Sequence, residues 1–199
     1  MDSGAWDERY ATSELVWSAV PNQFVAAELA DLEPGRALDV ACGEGRNAVW
    51  LAERGWRVTG VDFSDVAIEK AAAFATARGV DVDWVVDDVV AYAPEPGAFD
   101  LVAVLYLQLP HDELAAALRH AARALAPGGT IIVLGHDSTK LADGSGGPLD
   151  PAVLFTPEDV VGELGDLVVE RAARVRRTVP LDGGEAVAVD ALVRARRPT

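Results

Sequence analysis

Residues 36–52 read Arg36-Ala37-Leu38-Asp39-Val40-Ala41-Cys42-Gly43-Glu44-Gly45-Arg46-Asn47-Ala48-Val49-Trp50-Leu51-Ala52, and their reading decides the fold. The first part is a short apolar run between Pro34-Gly35 and a glycine pair, which predicts a buried strand over 36–42. Ala48, Leu51 and Ala52 then recur at helical spacing, which predicts a helix over 46–54 that Gly55 stops. Gly43 and Gly45 let the backbone turn tightly and approach a ligand closely, because no side chain intervenes. The same pair also suits a plain strand-to-helix turn. Asp39 is a carboxylate in an otherwise apolar strand, and a buried charge needs a partner.

Strand and helix alternate outward from this unit. A helix over 22–32 precedes it, with Val25, Leu29 and Leu32 on one face. Strands are expected at 57–61, 82–86, 99–107 and 130–134. Helices are expected from the Ser64 cap to Gly79 and over 111–125, the latter broken by Pro127-Gly128-Gly129. Residues 143–148 read as a surface loop, and Thr156-Pro157-Glu158-Asp159 opens a last helix. Two strands near 167–179 and 185–195 meet at Asp182-Gly183-Gly184, with Val187, Val189, Ala191 and Val193 alternating against Ala188, Asp190 and Arg194. Alternation predicts a parallel sheet with helices on both faces, and a terminal hairpin adds one antiparallel strand. The expected fold is α/β: a single-domain, doubly wound, Rossmann-like sheet of seven strands. Its parts are an N-terminal lid and helix (1–33), a cofactor-binding core (34–135) and a substrate-side remainder (136–199).

At 199 residues the chain suits one domain with a full core. The first ten residues carry early charge and no apolar stretch, no apolar run reaches membrane-spanning length, and Cys42 is the only cysteine. A cytoplasmic protein with no internal disulfide and no membrane partner is expected. The net charge of −15 repels phosphate backbones, so nucleic acid is a poor partner. The basic pieces Arg174-Val175-Arg176-Arg177 and Arg194-Ala195-Arg196-Arg197 read as solvated faces of neighbouring strands.

Ligands of open parallel sheets lie beyond the carboxyl ends of the strands. Asp62 ends the second expected strand 17 residues after Gly45, where an acid accepts from ribose hydroxyls or merely leads the next helix. Asp87-Asp88 ends the third, where a carboxylate accepts from an adenine amino group. With Asp39, three acids would line one edge of the sheet.

With these motifs, residues 36–135 resemble the class I S-adenosylmethionine-dependent methyltransferases. The family's first motif matches Asp39 through Gly45, with Ala41 where a glycine usually stands. The resemblance makes Asp62 the ribose acid with Phe63 on the adenine, and Asp88 the adenine-edge acid with Val89. It also matches Phe99-Asp100-Leu101-Val102, the Leu105-Tyr106-Leu107 strand end near the methionine part, and the Leu125-Ala126-Pro127-Gly128-Gly129 turn. Gly43-Glu44-Gly45-Arg46-Asn47 and the Trp6-Asp7-Glu8-Arg9-Tyr10 opening resemble a small bacterial branch that includes tellurite-resistance and thiopurine- or thiol-methylating enzymes. The cofactor implied is S-adenosylmethionine, held by Trp6, Tyr10, Asp39, Ala41, Cys42, Gly43, Gly45, Arg46, Asn47, Asp62, Phe63, Asp88, Val89 and Leu105.

The reaction implied is in-line methyl transfer to a small nucleophile, such as a thiol or a chalcogen oxyanion. It is favoured by excluding water and holding the nucleophile at a near-attack distance. His136, directly after the fifth expected strand, is the base candidate; the alternative is a solvated or capping histidine. Trp17, Tyr106, Gln108 and His136 are the candidates for the acceptor side, although Tyr106 suits the core equally. Trp6, Tyr10 and Trp17 either fold over the cofactor as a lid or staple the N-terminus to the sheet. Cys42 reads as a small packing residue, and no metal-ligand spacing is present. Two other readings compete. Gly43-x-Gly45-x-x-Ala48 also fits the dinucleotide fingerprint of a nicotinamide-dependent oxidoreductase, against which Asp39 and the lack of a Tyr-x-x-x-Lys pair count. The other is a non-catalytic regulatory protein that keeps the cofactor fold. Monomer and homodimer are both open.

Overall fold

The computed structural model describes residues 3–12, 18–140, 147–181 and 184–199. Strands β1 (Arg36–Val40), β2 (Arg57–Asp62), β3 (Asp83–Val86), β4 (Phe99–Leu105), β5 (Leu125–His136), β6 (Val168–Leu181) and β7 (Gly184–Arg196) form one sheet in the order β3-β2-β1-β4-β5-β7-β6. β1 to β5 are parallel, and β7 runs antiparallel between β5 and β6. Among the described residues the helices are α1 (Ser3–Tyr10), α2 (Gln23–Glu28), α3 (Arg46–Glu53), α4 (Asp65–Arg78), α5 (His111–Ala124) and α6 (Pro157–Glu163), with a 3₁₀ turn at Pro151–Val153.

Two apolar layers cover the sheet. Val25 and Leu29 of the α2 segment and Ala48, Trp50 and Leu51 of α3 pack with Ala37, Leu101, Ala103, Ile132, Leu134 and Leu192 on one face. Leu114 and Leu118 of α5 and Val160 of α6 pack with Leu38, Val40, Val102, Val104, Ile131 and Val133 on the other. The crossovers from β1 and from β4 thus leave in opposite directions. The strand order reverses between β1 and β4, and doubly wound sheets bind ligands in the crevice at such a switch point, beyond the carboxyl ends of the strands.

Several expected boundaries shift. The helix expected over 22–32 ends at Glu28, and Leu29 leaves helical geometry to reach the core. β4 stops at Leu105 because Tyr106 turns to a φ of 55°. β5 begins at Leu125, so Pro127-Gly128-Gly129 forms a bulge inside the strand; the register with β4 shifts between Phe99 and Leu101. The expected caps are present. Ser64 Oγ accepts from the Ala67 amide, Gly79 closes α4 at a φ of 69°, and Thr156 and Asp159 form a capping box. The surface loop expected at 143–148 falls largely outside the described residues, as do Asp182 and Gly183.

The basic pieces are not simply solvated. Arg174 pairs with Asp137 at 3.0 Å and Glu158 at 3.3 Å, Arg177 with Asp190 at 2.7 Å, and Arg194 with Glu170 at 2.9 Å. The reason is topological: β7 is an interior strand, so residues 188–193 are buried on both faces. Among the described residues, no helix is long and apolar enough to cross a membrane.

Candidate cofactor and acceptor site

β1 delivers Asp39 and Ala41 to the crevice, and the chain turns through Gly43 and Gly45 into α3. Gly45 takes a left-handed φ of 77°, and a Cβ there would lie 2.6 Å from the Trp84 ring and 2.9 Å from Ala71 Cβ. Glycine is thus required both by conformation and by the close approach of α4 and β3. Ala41 also has a positive φ, 56°, which is the physical reason a glycine suits its place.

Asp39 is buried and neither carboxylate oxygen makes a hydrogen bond. Burial pushes its carboxyl up to about 7. The Arg46 guanidinium opposes the rise, the Asp62 charge adds to it, and the Ala48 amide, near but outside hydrogen-bond geometry, opposes it least. Asp62 is differently placed. Its Oδ2 accepts from the Gly43 amide at 2.8 Å and its Oδ1 from the Ser64 amide at 3.1 Å, so it braces the turn. Burial raises its carboxyl, and the Ser64, Gly43 and Phe63 amides partly offset this. Each oxygen keeps acceptor capacity for a hydroxyl. Phe63 is half-buried beside it.

Asp88 is exposed just past β3, and its Oδ1 accepts from the Val90 amide at 2.9 Å, while Val89 is buried. Cys42 is buried with its sulfur packed toward Gly60. Burial, with Asp39 and Asp62 near, pushes its thiol up, so it stays protonated and unreactive. Asn47 in α3 accepts from the Asn22 amide at 3.1 Å.

α1 is strapped over this turn. Ser64 Oγ donates to Asp7 Oδ1 at 2.5 Å, and Lys70 Nζ donates to the Tyr10 carbonyl and to Glu44 at 3.1 Å. Trp6 stacks on Tyr10 with centroids 5.6 Å apart. Tyr10 is buried, its hydroxyl only 2.8 Å from where a Gly43 Cβ would stand. Trp17 lies outside the described residues.

Across the crevice, Leu105 ends β4 and Tyr106 follows. The Tyr106 hydroxyl donates to Asp190 Oδ2 at 2.8 Å and accepts from Asn22 Nδ2 at 3.1 Å. His136 ends β5 opposite Asp190 in β7, its Nδ1 3.3 Å from Asp190 Oδ1 and its ring 4.9 Å from that of Tyr106. Burial alone would raise the Asp190 carboxyl, but His136, Arg177 and Tyr106 hold it below its ordinary value. Gln108 is half-buried in the turn before α5. The other two histidines are engaged elsewhere: the His111 ring meets the Leu154 carbonyl at 2.9 Å and the His120 ring the Tyr92 carbonyl at 3.0 Å.

The sequence reading missed Asp190, Arg177 and Asn22. A usable signal existed for Asp190, a lone acid in an apolar strand like Asp39.

The arrangement is that of a class I methyltransferase fold: a doubly wound sheet with a glycine turn and a buried acid at its switch point. Residues 37–129 match the family described as "Methyltransferase domain". The chain is 38% identical over 112 residues to the demethylmenaquinone methyltransferase of Thermus thermophilus, covering 55% of this chain and 51% of that one. It thus spans about half the length of the curated relatives it matches. In fold it is similar to a solved protein concerned with conversion of a disulfide bond into a thioacetal group during echinomycin biosynthesis (TM-score 0.79, 23% identity, 98% of this chain and 91% of that one). TehB from Haemophilus influenzae is also similar in fold (TM-score 0.76, 16% identity, 98% and 66%).

Proposed function

We propose that the chain is an S-adenosylmethionine-dependent methyltransferase acting on a small-molecule nucleophile such as a thiol, a chalcogen oxyanion or a comparable group. The observation that carries this reading is Asp39, a buried carboxylate with both oxygens unpartnered at the glycine turn. Such a group is costly unless a cation meets it, and the methionine ammonium supplies one. The residues present fit the cofactor. Asp62 and Phe63 would take the ribose and adenine, Asp88 and Val89 the adenine edge, and Ala41, Cys42, Gly43, Gly45, Arg46, Asn47 and Leu105 the methionine side. When bound, the cofactor supplies an activated methyl group. The chain's own part is to position the acceptor and keep water out. The methyltransferase-domain match and the acid inside the strand weigh against a nicotinamide-dependent reading.

Trp6 and Tyr10 act in this reading as a lid, because α1 is strapped to Ser64 and Lys70 above the turn. Removing residues 1–18 is expected to weaken S-adenosylhomocysteine binding at least about tenfold, on the order of 1.4 kcal/mol. Unchanged affinity and turnover would leave α1 a mere staple. The function itself is tested with labelled cofactor against thiols, tellurium and selenium oxyanions, phenols and amines. Transfer to a member of the panel is expected. Binding of NAD in place of S-adenosylhomocysteine would reverse the reading.

A further inference from the structure

The acceptor half of the crevice holds more machinery than a soft nucleophile needs. Asp190 is fully buried in β7. One of its oxygens is clamped: Oδ2 accepts from Arg177 Nε at 2.7 Å and from the Tyr106 hydroxyl at 2.8 Å. The other, Oδ1, has no such bond and lies 3.3 Å from His136 Nδ1. A carboxylate fixed at one oxygen and open at the other orients an imidazole, placing the proton on Nδ1 and leaving the Nε2 lone pair free. Gly147 packs against the ring beside Nε2. With a φ of 71°, it approaches so closely that a Cβ would stand 2.5 Å from Nε2. The dyad is also tied to the cofactor turn, since Asn22 bonds both Tyr106 and Asn47.

Thiols ionise near pH ~8.5 and need little help, whereas a phenol near ~10 must give up its proton as the new bond forms. The surroundings choose between an oxygen and an amine acceptor. Arg177 stands beside the dyad, its Nε 2.7 Å from Asp190 Oδ2 and its guanidinium 5.6 Å from the Tyr106 ring. That cation disfavours an ammonium beside His136 and favours a group that gains negative charge.

We propose that the acceptor is a hydroxyl of phenol or enol type, that His136 Nε2 takes its proton, and that Asp190, held by Arg177 and Tyr106, positions the ring. The inference rests on the methyltransferase reading above. The oxygen–carbon bond forms as the carbon–sulfur bond breaks, with the bond pair left on sulfur. The hydroxyl proton passes to Nε2, and Asp190 stabilises the imidazolium. His136 is the catalytic residue of the proposal, and Asp190 is a positioning residue.

The test has a ligand-free and a kinetic arm. The chain has three histidines, so ring-nitrogen spectra of ¹⁵N-labelled protein at pH 8 distinguish them. His136 is expected as the Nδ1–H tautomer, moving toward Nε2–H in Asp190→Asn. Calorimetry with S-adenosylhomocysteine then checks that each variant binds cofactor. With labelled S-adenosylmethionine, methyl transfer to phenols such as catechol is expected to fall on the order of 10²-fold in His136→Gln, cofactor affinity unchanged. The loss should shrink for nitrophenols, which ionise unaided. His136→Gln keeps the arm usable should Asp190→Asn fail to fold. An Nε2–H tautomer in the parent protein, transfer only to thiols or amines, no transfer to any phenol despite cofactor binding, or phenol transfer indifferent to His136→Gln overturns the proposal. Failure to bind S-adenosylhomocysteine overturns the methyltransferase reading instead, and the tautomer still decides the dyad.

Discussion

Asp39→Asn is expected to weaken S-adenosylhomocysteine binding by on the order of 10²-fold, the worth of a charge-assisted hydrogen bond in a dry site. The same substitution should make the ligand-free protein relatively more stable at high pH. The Asp39 carboxyl is raised from 3.8 to about 7 in the folded chain, so the native state holds its proton more tightly than the unfolded one. Its contribution to stability is fully present below 3.8 and is lost as pH rises through about 7. The loss amounts to roughly 4 kcal/mol at most by linkage. Asparagine does not titrate. The difference in Tm, variant minus parent, should therefore climb between pH 4 and pH 8, followed by thermal denaturation. Equal cofactor affinity in the variant would remove Asp39 from the site. A flat Tm difference would mean its carboxyl is not desolvated. A buried acid that costs the empty protein stability at neutral pH is what a cation-binding position demands.

Gly45→Ala is expected to cost about 3 kcal/mol, roughly 10 °C in Tm for a chain of this length. Two independent penalties add. The left-handed φ of 77° penalises any Cβ, and that Cβ would press on the Trp84 ring at 2.6 Å and on Ala71 at 2.9 Å. Neither neighbour is the end of a flexible chain. Trp84 comes from β3 and Ala71 from α4, so relief means moving α3 away from both. Because the turn that Asp62 braces leads directly into α3, cofactor affinity should fall with stability. A variant as stable as the parent would show that the turn tolerates a side chain.

The cofactor half of the site was legible because its signals are local. Asp39, the glycine pair, Asp62 and the Ser64 cap all fall within 26 consecutive residues, and each sits at a strand end fixed by hydrophobic pattern. The acceptor half was not, because its signals are long-range. Val187, Val189, Ala191 and Val193 alternate as one apolar face, which set Asp190 with Ala188 and Arg194 on the opposite face and drew no attention to it. Only pairing of β7 with both β5 and β6 makes that strand interior and Asp190 a buried charge. Arg177 was read as surface for the same reason, although it is only about a fifth exposed beside Asp190. His136 was picked out by its place after β5, but nothing local reveals the carboxylate across the ladder. The early start of β5 escaped because proline and two glycines normally end a strand, whereas here they bulge within it. The stretch 26–30, Ala-Ala-Glu-Leu-Ala, is made of good helix formers, yet α2 stops where Leu29 is drawn into the core. Propensity is a weak prior against such packing.

The most direct measurement is calorimetric titration of the parent protein with S-adenosylhomocysteine at several pH values, in two buffers of different ionisation enthalpy. If the ligand ammonium meets Asp39, binding below pH 7 must expel the proton that Asp39 holds. Affinity should then rise with pH, by up to about tenfold per unit, and level off above pH 7. An affinity that does not vary with pH and exchanges no proton, or no binding at all, would contradict the placement of the cofactor on Asp39.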